Sequence, residues 1–88
     1  MDRDAFIDIL KQEGFADITT VTREPGGAMD VHEHPFEAKA LILDGDILLT
    51  CGGAERRYEV GDVFHLPAGT PHAERYGANG VQYLVGRK

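Results

Sequence analysis

The chain has 88 residues, 42% of them apolar and 27% charged, a balance that supports one small folded domain (1–88) and excludes a disordered polymer. Its net charge is −6, and no basic run exceeds the pairs Arg56-Arg57 and Arg87-Lys88, which argues against nucleic acid as a partner. No apolar stretch approaches the roughly 20 residues that span a bilayer, and Met1-Asp2-Arg3-Asp4 has none of the character of a secretion signal, so the expectation is a cytoplasmic protein without a membrane partner.

Residues 4–13 place Phe6, Ile9 and Leu10 at helical spacing, with Ile7 at the edge of the stripe, an acidic first turn and Gly14 where a C-terminal cap falls. This predicts one short helix packed against the rest of the domain. From Asp17 onward the texture changes to short runs rich in Val, Ile, Thr, Leu and Tyr, punctuated by Gly, Pro, Asn and Asp. That is the pattern of an antiparallel barrel or sandwich, with strands predicted at 18–24, 28–34, 38–44, 46–51, 56–60, 63–66, 72–76 and 81–86. The predicted reversals are Pro25-Gly26-Gly27, a tight hairpin at Asp44-Gly45, Cys51-Gly52-Gly53-Ala54, Gly61-Asp62, Pro67-Ala68-Gly69 and Gly77-Ala78-Asn79-Gly80. These turns account for most of the glycines, and neither a Gly-x-Gly-x-x-Gly nor a Walker-type lysine is present to cradle phosphate. The lone cysteine, Cys51, has no partner for an internal disulfide and reads as a small strand-end or buried residue.

The chemistry concentrates in the histidines. His32 and His34 lie two apart, so on an extended strand both imidazoles project from one face, and His72 can join them from a distant strand. Three imidazoles suit a divalent ion such as Zn, Ni, Cu, Mn or Fe(II) and leave coordination positions open. A polar cluster lining the barrel without metal is the competing reading. His65, between Phe64 and Leu66, reads as a hydrogen-bonded structural residue.

Gly26, five residues, His32-Glu33-His34 and a later Gly45 resemble the first motif of the cupin superfamily. Gly61, five residues, Pro67, one residue, Gly69, two residues and His72 resemble the second, and fifteen residues separate the two motifs. The resemblance spans 18–86 and implies an all-β fold, a conical antiparallel β-barrel of jelly-roll type behind the short N-terminal helix. It also implies that His32, His34 and His72 point inward to hold a divalent metal. Two positions depart from the family pattern: the usual glutamate ligand is replaced by Ala38, and the asparagine that often ends the second motif is Tyr76, able to fill the pocket or present a phenol. Glu37 has the opposite parity from His32 and His34, so it reads as an outward carboxylate or hydrogen-bond partner rather than a fourth ligand, which it becomes only if Pro35 induces a bulge that resets the alternation. Losing the glutamate also resembles the three-histidine cupins that act as thiol or diketone dioxygenases, and it leaves a site that favours an anionic or chelating small molecule.

Met29, Ile42, Leu48, Val63, Tyr83 and Val85 are candidates for the barrel lining. Glu74 shares the parity of His72, which makes it either an orienting partner for an imidazole N–H or a rim carboxylate paired with Arg75. Leu41 and Leu43 point outward if Ala38, Ala40 and Ile42 point inward, so their cover must come from the helix or from a second subunit, and a homodimer is expected. Two functions compete: a metal-dependent enzyme on a small substrate, an oxygenase or isomerase with no assignable catalytic acid or base, and a non-catalytic module that binds a small ligand or metal ion.

Overall fold

A computed structural model describes residues 1–88. Helix α1 (Arg3–Gln12) precedes six strands, β1 (Asp17–Arg23), β2 (Ala28–His32), β3 (Ala38–Cys51), β4 (Ala54–Glu59), β5 (Val63–Leu66) and β6 (His72–Arg87). All pairings are antiparallel. Strands β3 and β6 are the longest, at 14 and 16 residues, and pair with each other from end to end. The first half of β3 and the second half of β6 are flanked by β5 and β1, and the other halves by β4 and β2. Two long strands thus run through two faces of one folded-over sheet, the jelly-roll architecture expected from the sequence. No helix is long and apolar enough to cross a membrane.

Two of the predicted reversals are not turns. The segments 38–44 and 46–51 form one continuous β3, and 72–76 and 81–86 form one continuous β6. At Gly45 the chain adopts a φ of 68°, and the β3–β6 register slips between Ile42 and Asp44 and again between Gly45 and Ile47. A dipeptide that suits a hairpin because glycine tolerates positive φ is here used for a bulge that bends the strand. Gly80, with a φ of 71°, lies against it: a Cβ on Gly45 would fall 2.0 Å from the Gly80 carbonyl oxygen.

The bend resets the alternation of side chains. Before it Ala38, Ala40 and Ile42 face the interior, and after it Ile47 and Leu49 do. In β6 the same switch takes the interior face from Tyr76 to Val81, Tyr83 and Val85. Ile42, Tyr83 and Val85 therefore line the core as expected, but Leu48 does not, because it lies beyond the bend with the wrong parity. Val63 pairs with Leu41 on the outer face and packs there under the helix. Met29 sits on the edge strand β2 and stays 38% exposed. Cys51 is the half-buried last residue of β3, opposite Ala54.

The outer cluster consists of Phe6, Leu10, Phe15, Leu41 and Leu84, with Ile7, Ile18, Leu43 and Val63 against it. The helix that supplies it is closed at both ends by the sequence. The Asp2 carboxylate accepts from the Ala5 N–H at 2.7 Å, and beyond Glu13 the chain turns at Gly14 with a φ of 87°. There the Phe15 N–H donates to the Leu10 carbonyl at 2.9 Å and the Gly14 N–H to the Lys11 carbonyl at 3.1 Å, a Schellman arrangement that brings Phe15 onto the same apolar cluster as Leu10. A Cβ at Gly86 would meet both Leu10 and Phe15 at 2.9 Å, so the missing side chain lets the helix seat on β6. Leu41 is 1% exposed beneath this cover. Its burial is intrachain and calls for no second subunit.

Gly45→Ala is expected to lower the unfolding free energy by more than about 2 kcal/mol, since left-handed backbone alone costs an alanine roughly 1–2 kcal/mol before any clash with Gly80. Gly14→Ala, where nothing lies within 4 Å of the added atom, should show only the backbone component. Urea unfolding of the two variants checks this, and equal losses would contradict the tight strand crossing.

Candidate metal centre

His32 is the last residue of β2 and lies directly across from His72, the first residue of β6. A register slip between Met29 and His32 produces this alignment. His34 follows β2 by two residues, where Pro35 helps end the strand. The loop before β6 is tied to it: the Gly69 N–H donates to the His34 carbonyl at 2.8 Å, and the Thr70 hydroxyl and N–H both close back onto the Pro67 carbonyl. The two histidine-bearing stretches, distant in sequence, are thereby held together by main-chain bonds.

The three rings meet inside the barrel. Their centroids are 4.3 Å apart for His32–His72, 4.9 Å for His32–His34 and 5.5 Å for His34–His72. One ring nitrogen from each lies within 4.8 Å of the others. His72 is 2% exposed, while His32 and His34 are half-buried toward the mouth.

Tautomers at two of the rings follow from their backbone partners. The His32 Nδ1–H donates to the Asp30 carbonyl at 2.7 Å, and the His72 Nδ1–H donates to the Thr70 carbonyl at 2.9 Å. A carbonyl can only accept, so the proton of each neutral imidazole is on Nδ1 and the lone pair is on Nε2, aimed into the cluster. The His32 Nε2 is buried and makes no hydrogen bond, although the Glu74 Oε2 stands 3.2 Å from it. An unpartnered buried nitrogen beside two other imidazoles fits a divalent cation, which takes lone pairs rather than protons. His34 stacks on Phe36 and is pushed below the ordinary imidazole range by burial first and then by His32 and His72, which favours its neutral form.

Two more polar side chains reach the cluster from β6. Glu74 is 8% exposed, and its Oε2 lies 3.2 Å from the His32 Nε2 and 3.3 Å from the His72 Nε2. Its other oxygen, Oε1, accepts from the Tyr76 hydroxyl at 3.1 Å. The sequence places Glu74 on the His72 face by parity, and the structure puts it there, away from any pairing with Arg75. Its contacts are with the inward Nε2 atoms, whereas the outward Nδ1–H groups are held by backbone carbonyls. Tyr76 presents its phenol to Glu74, and Tyr83 lies deeper in the wall. Burial, followed by the Glu74 carboxylate, pushes both phenols up to about 12.

Glu37 takes no part in this cluster. Its carboxylate bonds the His65 Nε2 on the outside and approaches Lys88 Nζ at 3.8 Å, and the His65 bond is the main reason it sits below the usual carboxylate range. Both the outward reading of Glu37 and the structural reading of His65 agree with this pair. Ala38 is buried in the cavity wall and offers no donor atom.

Above the rings lies a cavity of about 40 Å³, walled by Phe36, Phe64, Leu66, Tyr83 and Val85. That volume holds a few water-sized groups. Drug-sized ligands occupy roughly 300–1,000 Å³.

Residues 19–80 match the model of the cupin domain family, and the chain belongs to that family. Among solved structures it is similar to the conserved SPY1581 protein of unknown function from Streptococcus pyogenes, with 30% identity, a TM-score of 0.69, and coverage of 80% of this chain and 60% of that one. It is also similar to the DMSP lyase DddQ from Ruegeria pomeroyi, with 30% identity, a TM-score of 0.73, and coverage of 81% and 36%. The Cnp3 cupin domain of Schizosaccharomyces pombe shares the fold at 21% identity and a TM-score of 0.72, with coverage of 80% and 53%. The chain thus spans between about a third and three fifths of these proteins. No curated protein matches it.

The two raised phenols give a titration that checks the site. Tyr76 and Tyr83 should stay un-ionised in the folded protein until about pH 12 when followed by phenolate absorbance. Their folded pKa values exceed the unfolded one, so this contribution to stability is complete below about pH 10 and is lost as pH rises toward 12. Ionisation of Tyr76 near pH 10 in the folded protein would contradict the buried Glu74–Tyr76 contact.

Proposed function

We propose that this chain is a metal-binding cupin in which the Nε2 atoms of His32 and His72, with a ring nitrogen of His34, hold one divalent ion inside the barrel. One observation carries this reading: two imidazoles have Nδ1–H groups tied to backbone carbonyls and Nε2 lone pairs converging on a buried point, one of them without a hydrogen-bond partner. Nitrogen donors of this kind suit Zn, Ni, Cu, Mn or Fe(II). A bound ion would supply Lewis acidity toward an oxygen atom of a small ligand. The protein's own contribution is positioning and shielding. The carbonyl tethers fix ring orientation, and Phe36, Phe64, Tyr83 and Val85 restrict water to a few positions.

The substrate-level reading is metal-dependent turnover of a small, chelating molecule by an oxygenase or isomerase type of reaction. The similarity to a protein named as a DMSP lyase, at 30% identity, supports small-molecule chemistry in a barrel of this kind. The second reading, a non-catalytic module that binds metal or a small ligand, is favoured by the cavity of about 40 Å³, which has room for little beyond an ion and its remaining ligands.

Elemental analysis of protein purified without a histidine tag should find close to one equivalent of metal, and His72→Ala should abolish it. Affinity should fall in acid, because protons compete for the same imidazole lone pairs. Oxygen uptake with thiols and diketones then separates the two readings, and no turnover in metal-loaded protein would favour the binding module. Metal-free wild type that takes up none of these ions on titration would end the metal reading.

A further inference from the structure

We infer that Glu74 is the fourth protein ligand of the cation, a carboxylate delivered from β6 two residues beyond His72. This rests on the three-imidazole reading and extends it from a neutral donor set to an anionic one.

The argument begins with a repulsion. With both Nδ1–H groups committed to the Asp30 and Thr70 carbonyls, each ring in the neutral form that ligates a metal turns its lone pair toward Glu74. Its Oε2 is 3.2 and 3.3 Å from those two nitrogens, in a place where the carboxylate is 8% exposed. A carboxylate against two imidazole lone pairs away from water is costly unless positive charge sits between them. A metal ion supplies that charge at one point for all three atoms.

The spacing agrees. Nitrogen and oxygen ligands stand roughly 2.0–2.2 Å from a first-row ion, so neighbours in an octahedral or tetrahedral shell are separated by about 2.8–3.6 Å, the upper part of that range being tetrahedral. The two Glu74 contacts fall within that range. A carboxylate that only oriented the imidazoles would accept from their Nδ1–H groups on the far side of each ring, and those groups are already bonded to main chain. Tyr76 donates to Oε1 and leaves Oε2 free, which sets the carboxylate for single-oxygen coordination and makes Tyr76 a positioning residue. Glu37, the carboxylate next to Ala38 in sequence, is turned outward to His65.

The consequence is electrostatic. Three neutral imidazoles leave a divalent site with a charge of +2, whereas Glu74 reduces it to +1. The lower charge strengthens retention of the ion and weakens the preference for strongly anionic ligands.

The test uses the full chain stripped of metal and titrated with Zn²⁺ by calorimetry and with Co²⁺ by visible absorption. Wild type should bind one equivalent. Glu74→Gln, nearly isosteric, should weaken binding by about 100-fold or more, above the range found when only an orienting partner is lost. Its Co²⁺ bands should also shift in position and intensity, which a merely structural role would not cause. Tyr76→Phe should weaken binding by a smaller factor and leave the Co²⁺ spectrum close to wild type. Glu37→Gln should bind as wild type does. Circular dichroism of each metal-free variant establishes that it is folded. Glu74→Gln that binds Zn²⁺ as tightly as wild type with a superimposable Co²⁺ spectrum would overturn the assignment while leaving the three-histidine site standing. Wild type that binds neither ion would overturn both.

Discussion

The contact on which this structure depends is the crossing of two main chains at Gly45 and Gly80. Neither position accommodates a Cβ: one would meet the opposing carbonyl at 2.0 Å, and the other would meet the Arg23 carbonyl at 2.4 Å. Because both glycines adopt positive φ, β3 and β6 bend there without breaking, and the sheet folds over on itself. The bend also switches which alternate residues face inward. Without that switch, a strand carrying His72, Glu74 and Tyr76 on its interior face would turn Val81, Tyr83 and Val85 outward. The barrel obtains a polar floor and an apolar wall from the same strand because the parity changes between them.

The site uses backbone to order side chains. Asp30 and Thr70 carbonyls hold the Nδ1–H groups of His32 and His72, and the Gly69 N–H holds the main chain of His34. Each of these groups belongs to a rigid strand end or to a loop cross-linked to one, so the rings are oriented before any ligand arrives. Burial does the rest. It favours neutral His34 and keeps the phenols of Tyr76 and Tyr83 protonated around Glu74.

A domain of this size buries little surface, and the opposite face of the sheet shows how it compensates. Helix α1 covers Leu41 and Leu84 with Phe6, Leu10 and Phe15, building a second core outside the barrel. The two cores share β3 and β6 but no side chains, since alternation sends successive residues to opposite faces. The interior can therefore carry histidines and a carboxylate while apolar packing under the helix supplies part of the stability.

Much of this was legible from local chemistry. The helix stripe ending at Gly14, the strand-rich texture after Asp17 and the spacing of His32 and His34 each act through neighbours in sequence, so a helix, an all-β barrel or sandwich and two imidazoles on one face follow from the residues, while the choice of barrel and the convergence of His72 rest on the cupin resemblance. Parity also placed Glu74 on the His72 face and Glu37 off it. Three features required the folded chain. Asp44-Gly45 permits either a reversal or a bend, since glycine at positive φ serves both, and the outcome is decided by Gly80 lying against it. Leu48, Val63 and Met29 were expected to line the barrel and do not, because the alternation restarts at that bend, because the helix claims the outer face, and because β2 is an edge strand. The use of the Glu74 carboxylate was equally hidden: its face is a local property, but which imidazole nitrogen it meets depends on carbonyls that only the tertiary structure brings to the other side of each ring.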